Sequence, residues 1–221
     1  QSVEVACLRC RAALYCVDES AALDQLTAFL DHHADLLPEV YAGFFDVLIS
    51  RGLTGVADEV LGKLVAQRPE SDVLRRLYCE VGDRILSPEA SVERWTAFIE
   101  AFPQVPEAYL GAARLLSGLN RHAEAERVLA RGVVKFPNHR ELHLAHCRVL
   151  RGLNVDLSLE TAKWLEFIRL FGKTPESVRE LSALLIRDRR YAEARHYLED
   201  MTKARLKDYA LAMDYAYLID D

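Results

Sequence analysis

Long alternating runs rich in Val, Ile and Thr are missing from this sequence, and so are Asn-Gly and Asp-Gly pairs. Sheets and tight hairpins are therefore not expected. No uninterrupted apolar stretch nears the roughly 18 residues of a membrane span. No basic segment followed by an apolar one opens the chain. Neither membrane insertion nor a readable targeting signal is expected. The first residue is Gln1 rather than Met, which suggests a processed chain or a domain cut from something longer. Positive charge is also short, with a net charge of −6. Neutralising phosphates needs a basic face, so nucleic acid and anionic membranes are disfavoured as partners. The five cysteines are scattered singly except for Cys7 and Cys10. An odd, dispersed set is no disulfide framework, and a reducing, cytoplasmic compartment is expected. The chain has no Gly-x-Ser-x-Gly, no phosphate-cradling glycine loop and no placeable carboxylate pair. No catalytic residue and no cofactor is predicted, and the chain is not read as an enzyme.

What remains is helical. The chain has 221 residues, 51% apolar and 28% charged, the balance of a folded protein. Apolar residues recur at three and four in "LLSGLNRHAEAERVLARGVV" and "LSALLIRDRRYAEARHYLEDM". Glycine and proline interrupt this pattern at regular distances, so helices of about 12 to 16 residues are expected.

The interruptions keep time. Pro69, Pro103 and Pro137 are each 34 residues apart, and the last two follow a phenylalanine in "AFPQ" and "KFPN". The pairs Pro38-Glu39, Pro106-Glu107 and Pro175-Glu176 are separated by 68 and 69 residues. Phe29, Phe98 and Phe167 are 69 and 69 apart. Three series sharing one period near 34 indicate stacked helix hairpins.

Repeats then start near Val3, Pro38, Asp72, Pro106, Arg140 and Pro175. The clearest, "PEAYLGAARLLSGLNRHAEAERVLARGVVKFP", resembles the tetratricopeptide family. It has Tyr109 at its fourth place, Ala113 at its eighth, then Leu116, Ala125, Leu129 and Pro137. The twentieth place is Ala22, Ala57, Ser91, Ala125 and Ala194, with Glu160 the exception. The twenty-fourth is Leu26, Leu61, Trp95, Leu129, Trp164 and Leu198. Small facing large lets two antiparallel helices interlock. Departures are Ala6 and Arg75 at the fourth place and Phe45 at the eighth. They leave room for a divergent branch or the related half-tetratricopeptide class.

The resemblance implies an all-α, right-handed α-solenoid of about six hairpins in one domain, residues 1–221. The repeats would cover 3–37, 38–71, 72–105, 106–139, 140–174 and 175–204, with a terminal helix over 205–221. That last segment carries Tyr209, Tyr215 and Tyr217, and is expected to continue into more chain or to meet a second subunit.

"HRELHLAHC" invites a metal reading, because His139, His143 and His146 are spaced for one helix face. A zinc site needs three or four converging ligands and a supporting shell. In the repeat register, His143 and His146 hold the places of Tyr109 and Ala112, and His139 lies in the loop before them. Cys10, Cys79 and Cys147 share the small eighth place. Packing is the expected role of both sets, with a metal site at the three histidines as the minor alternative.

In the family the first helices line a ligand groove. Carrying its lining places over brings together Arg11, Arg114, Arg148, Arg151, Arg179 and Arg187. Guanidinium groups hold carboxylates in bidentate fashion. A protein or peptide with an acidic segment is the expected partner. The competing reading is a solvated face in which these arginines pair with Glu107, Glu141, Glu176 and Glu180. The asparagines of the family's chaperone-tail clamp are missing, so that role is not expected. Two further readings are a helical scaffold inside a larger enzyme, such as a polysaccharide-assembly or glycosyl-transfer protein, and an RNA-processing scaffold.

Overall fold

The computed structural model describes residues 7, 9, 10, 12–15, 18–32, 38–153 and 155–204. The described residues form eleven α-helices and no strand. They fall into two compact units, Gln1–Leu115 and Leu116–Asp221. The first holds α1 (Glu19–His32), α2 (Pro38–Ser50), α3 (Thr54–Gln67), α4 (Asp72–Ile85) and α5 (Pro88–Ala101), and most of α6 (Pro106–Gly118). The second holds α7 (His122–Lys135), α8 (Arg140–Gly152), α9 (Leu157–Phe171), α10 (Pro175–Arg187) and α11 (Tyr191–Ala204).

The evenly spaced prolines act through the residue before them. A proline ring crowds its predecessor out of the helical region. Arg68, Phe102 and Phe136 accordingly share one backbone conformation, at φ/ψ of −130/67, −128/62 and −125/69. Each still donates its N–H to the carbonyl four residues back and closes its helix there. Serine or threonine opens three of the helices. Ser71 accepts from the Leu74 N–H and Ser87 from the Ala90 N–H. Thr174 and Ser177 form a reciprocal box ahead of α10, with Pro175 in the first turn.

The turn inside the hairpin repeats too. Gly52, Asn120 and Arg189 stand at matching places with positive φ of 75°, 59° and 60°. The next residue in each case, Leu53, Arg121 and Arg190, donates to the carbonyl five back, at 2.9, 2.9 and 2.8 Å. This left-handed stop satisfies carbonyls the helix end would otherwise orphan. Arg121 then clasps Glu124 and Arg190 clasps Glu193, each through two bonds of 2.6 to 2.8 Å.

The seam between hairpin helices is buried throughout. Ala22, Ala57, Ser91, Ala125, Glu160 and Ala194 face away from water, as do Leu26, Leu61, Trp95, Leu129, Trp164 and Leu198. Each large side chain contributes roughly 1.5–3 kcal/mol by leaving solvent. The core of the first unit gathers Phe44, Phe45, Leu48, Leu61 and Leu74. That of the second gathers Trp164, Phe167, Leu181, Leu185 and Leu198. Trp95 lies so close to α6 that a Cβ on Gly111 would stand 2.0 Å from its ring.

Candidate functional site

First helices lie side by side within each unit, and ion pairs tie them together. In the first unit Arg84 of α4 reaches Asp46 of α2 at 3.2 Å, and Arg114 of α6 reaches Asp83 of α4 at 3.6 Å. In the second unit Arg148 of α8 bonds Glu176 of α10, with Nε at 2.9 Å. One turn on, Arg151 of α8 pairs with Glu180 of α10. Its Nε also stands 4.0 Å from Glu160 of α9. The arginines of these pairs are all exposed. Each pair joins one repeat to the next on the face that the first helices of its own unit present.

The candidate arginines therefore divide. Arg114, Arg148 and Arg151 are held by Asp83, Glu176 and Glu180. Arg179 and Arg187 project from α10 in exposed positions with no ion-pair partner among the described residues. Arg11 and the segment 205–221 lie outside the described residues. The acidic partners also divide. Glu176 and Glu180 take arginines, whereas Glu141 faces His139 at 3.6 Å.

The histidines go to three separate places. The His143 ring nitrogen Nε2 lies 3.0 Å from the Pro137 carbonyl, and the ring meets Phe171 edge-on at 5.2 Å. One repeat earlier the Tyr109 hydroxyl donates to the Pro103 carbonyl at 3.1 Å. Both rings tether their helix to the loop proline six residues before. His146 packs under α7, with Nε2 3.3 Å from a Glu126 carboxylate oxygen. Burial holds its proton affinity below the ordinary 6.5, against the pull of Glu126. No group of three or more His, Cys, Asp or Glu converges among the described residues. Cys79 and Cys147 are buried, free thiols, each pushed up to about 12 by burial. Such thiols are inert fillers of the small place.

Several residues that tie the helices together carried weaker sequence signals. Arg94 of α5 bonds both oxygens of Asp58 on α3, at 2.7 and 2.9 Å. Its guanidinium also lies 3.7 Å over the Tyr78 ring. The two charges stand 36 residues apart, so the period alone brings them near each other. The two tryptophans of the seam differ. Trp95 Nε1 donates to Asp83 at 2.9 Å. The place matching Asp83 in the fifth repeat is Arg151, which has no acceptor, and Trp164 Nε1 stays buried without a bond. Burial pushes the Asp83 carboxyl up, while Trp95 and Arg114 pull it back.

Residues 91–149 match the tetratricopeptide repeat (TPR) family model. That segment is TPR-like. No curated protein sequence matches the chain. Solved TPR structures do resemble it in fold. TTC0263, a thermophilic TPR protein of Thermus thermophilus, shares 17% identity over 83% of this chain and 99% of that one, with a TM-score of 0.53. PilF of Pseudomonas aeruginosa shares 17% over 83% and 85%, with a TM-score of 0.61. YrrB, a TPR protein with an unusual peptide-binding site, shares 12% over 86% and 97%, with a TM-score of 0.59. At these identities the likeness shows the TPR fold alone. No described helix of this chain is long and apolar enough to cross a membrane.

Proposed function

We propose that the chain is a non-catalytic scaffold that holds a protein or peptide against its first helices. Its contact to an acidic segment of that partner runs through Arg179 and Arg187 of α10. The observation that supports this is the division of charges on that face. Arg148 and Arg151 already serve Glu176 and Glu180, fixing α8 against α10, while Arg179 and Arg187 stay exposed without carboxylates among the described residues. Glu176, Glu180, Ala183 and Arg187 recur at helical spacing, so Arg187 stands on the row of the paired carboxylates, and Arg179 lies on its flank. A preset wall with open guanidinium groups at its edge loses little on ligand ordering. YrrB carries a peptide-binding site on a fold of this kind.

The test is fluorescence anisotropy with a labelled Asp/Glu-rich peptide and a Lys-rich control. The acidic peptide should bind, more weakly as salt rises, and the control should not. Arg179→Glu together with Arg187→Glu should weaken binding at least about tenfold. Arg114→Ala, Arg148→Ala and Arg151→Ala should each have smaller effects, because each removes a cation already neutralised. Equal binding of both peptides, or no change in the double variant, sinks the proposal.

A further inference from the structure

A second charged surface lies on helices that the first-helix face does not use. On α7, Arg127, Arg131 and Lys135 follow one another at four-residue steps, and all three are exposed. Arg127 donates to the Ala123 carbonyl of its own helix. None of the three makes an ion pair among the described residues. Val134 sits within the same arc and is 83% exposed, the most open of the large apolar side chains among the described residues. On α5, Glu89, Glu93 and Glu100 fall along one stripe, exposed and likewise without ion-pair partners among the described residues. Exposed Thr96 and Ala97 lie among them.

The two stripes match. At 100° per residue each occupies an arc of roughly 100°. Along the axis the acidic one runs about 16 Å and the basic one about 12 Å, from a rise of 1.5 Å per residue. Each also carries less polar positions: Val134 beside Lys135 at the end of one, and the small Thr96 and Ala97 between Glu93 and Glu100 on the other. The imbalance extends beyond the stripes. Residues 1–115 carry 10 Lys and Arg against 18 Asp and Glu, whereas residues 116–221 carry 18 against 16. Opposed fields of this sort steer two bodies into one register and disfavour like-with-like contact.

We propose that α5 of one copy of this chain docks on α7 of a second copy, the acidic stripe against the basic one. Glu93 and Glu100 face Arg127, Arg131 and Lys135, and Val134 packs over Ala97. The contact is heterologous, because two different patches of one sequence meet. It needs no part of residues 205–221 and no ligand on the first helices.

Sedimentation equilibrium of the full chain over a wide concentration range tests this. At about 10 mM salt, where charges act over roughly 30 Å, the average mass should rise with concentration. At about 1 M salt, where the range falls to roughly 3 Å, the mass should return to the monomer. Glu93→Arg and Arg131→Glu should each weaken self-association about tenfold or more. An equimolar mixture of these two variants should associate again, since each retains the stripe the other has lost. Glu93→Gln and Arg131→Gln, milder changes at exposed positions, should show the same order with smaller effects. A strict monomer at low salt overturns the proposal. So does association that survives both reversals or high salt, or a mixture that stays monomeric.

Discussion

His143 and Tyr109 show how far one place in a repeat governs chemistry. Different rings in the same place reach the same loop carbonyl, so the imidazole reads as a stand-in for a phenol. His146 carries a pH consequence. Burial lowers its folded-state proton affinity below the ordinary 6.5, so the unfolded chain takes up the proton more readily. The stability it confers is complete above about 6.5 and is lost as pH falls through and below that value. Urea midpoints measured from pH 7.5 to 5 should decline, and His146→Gln should flatten that decline. Lys163 and His143 also disfavour the charged form, so the slope belongs to this cluster rather than to one ring. Glu160 gives the second residue-scale expectation. It is a buried carboxylate in a place otherwise filled by alanine or serine, and its cation is Arg151. Arg151→Ala should cost about 1–3 kcal/mol in chemical denaturation, by leaving buried charge uncompensated. Adding Glu160→Ala should recover most of that loss. If the double variant is no better than the single, Arg151 acts through Glu180 alone.

At the scale of the element, the same stop signals recur because the same local sterics recur. The X-Pro steps at Arg68, Phe102 and Phe136 were legible as punctuation, since proline limits its predecessor whatever the tertiary context. The left-handed turn was less legible. Gly52 and Asn120 suit positive φ, but Arg189 gives no local hint that it must adopt it. Only its place in the repeat betrays it. Arg189→Gly should therefore raise stability by about 1 kcal/mol, read as a higher thermal midpoint. Gly111→Ala should do the reverse. The new methyl would overlap a buried indole that cannot swing aside, costing about 1–3 kcal/mol. An unchanged midpoint would mean that α6 can retreat from Trp95.

Across the whole molecule, the helical class and the hairpin repeat could be read from periodicity, and the TPR likeness from residues at fixed places such as Tyr109, Ala113 and Ala125, because both are properties of sequence itself. The state of each charge could not. Arg148 and Arg179 look alike as letters, and only the approach of α8 to α10 decides that one meets Glu176 while the other stays open. Asp83 likewise shares its repeat place with Arg151, yet it is half-sequestered as the acceptor for Trp95. Period brings residues near one another; it does not say which of several neighbours wins. The array also constrains unfolding. Stabilities in such a chain add between neighbours, so cooperativity need not span its full length. Native-state hydrogen exchange should show graded protection along the helices. One uniform opening energy for all amides would count against this.

Side-chain bonds between repeats span about one repeat length: Arg84 bonds Asp46 across 38 positions and Arg94 bonds Asp58 across 36. Chains dominated by such short-range contacts have low contact order and close few large loops on the way to the native state. Refolding should accordingly be rapid for 221 residues, and a nascent chain could gain native contacts hairpin by hairpin as it leaves the ribosome.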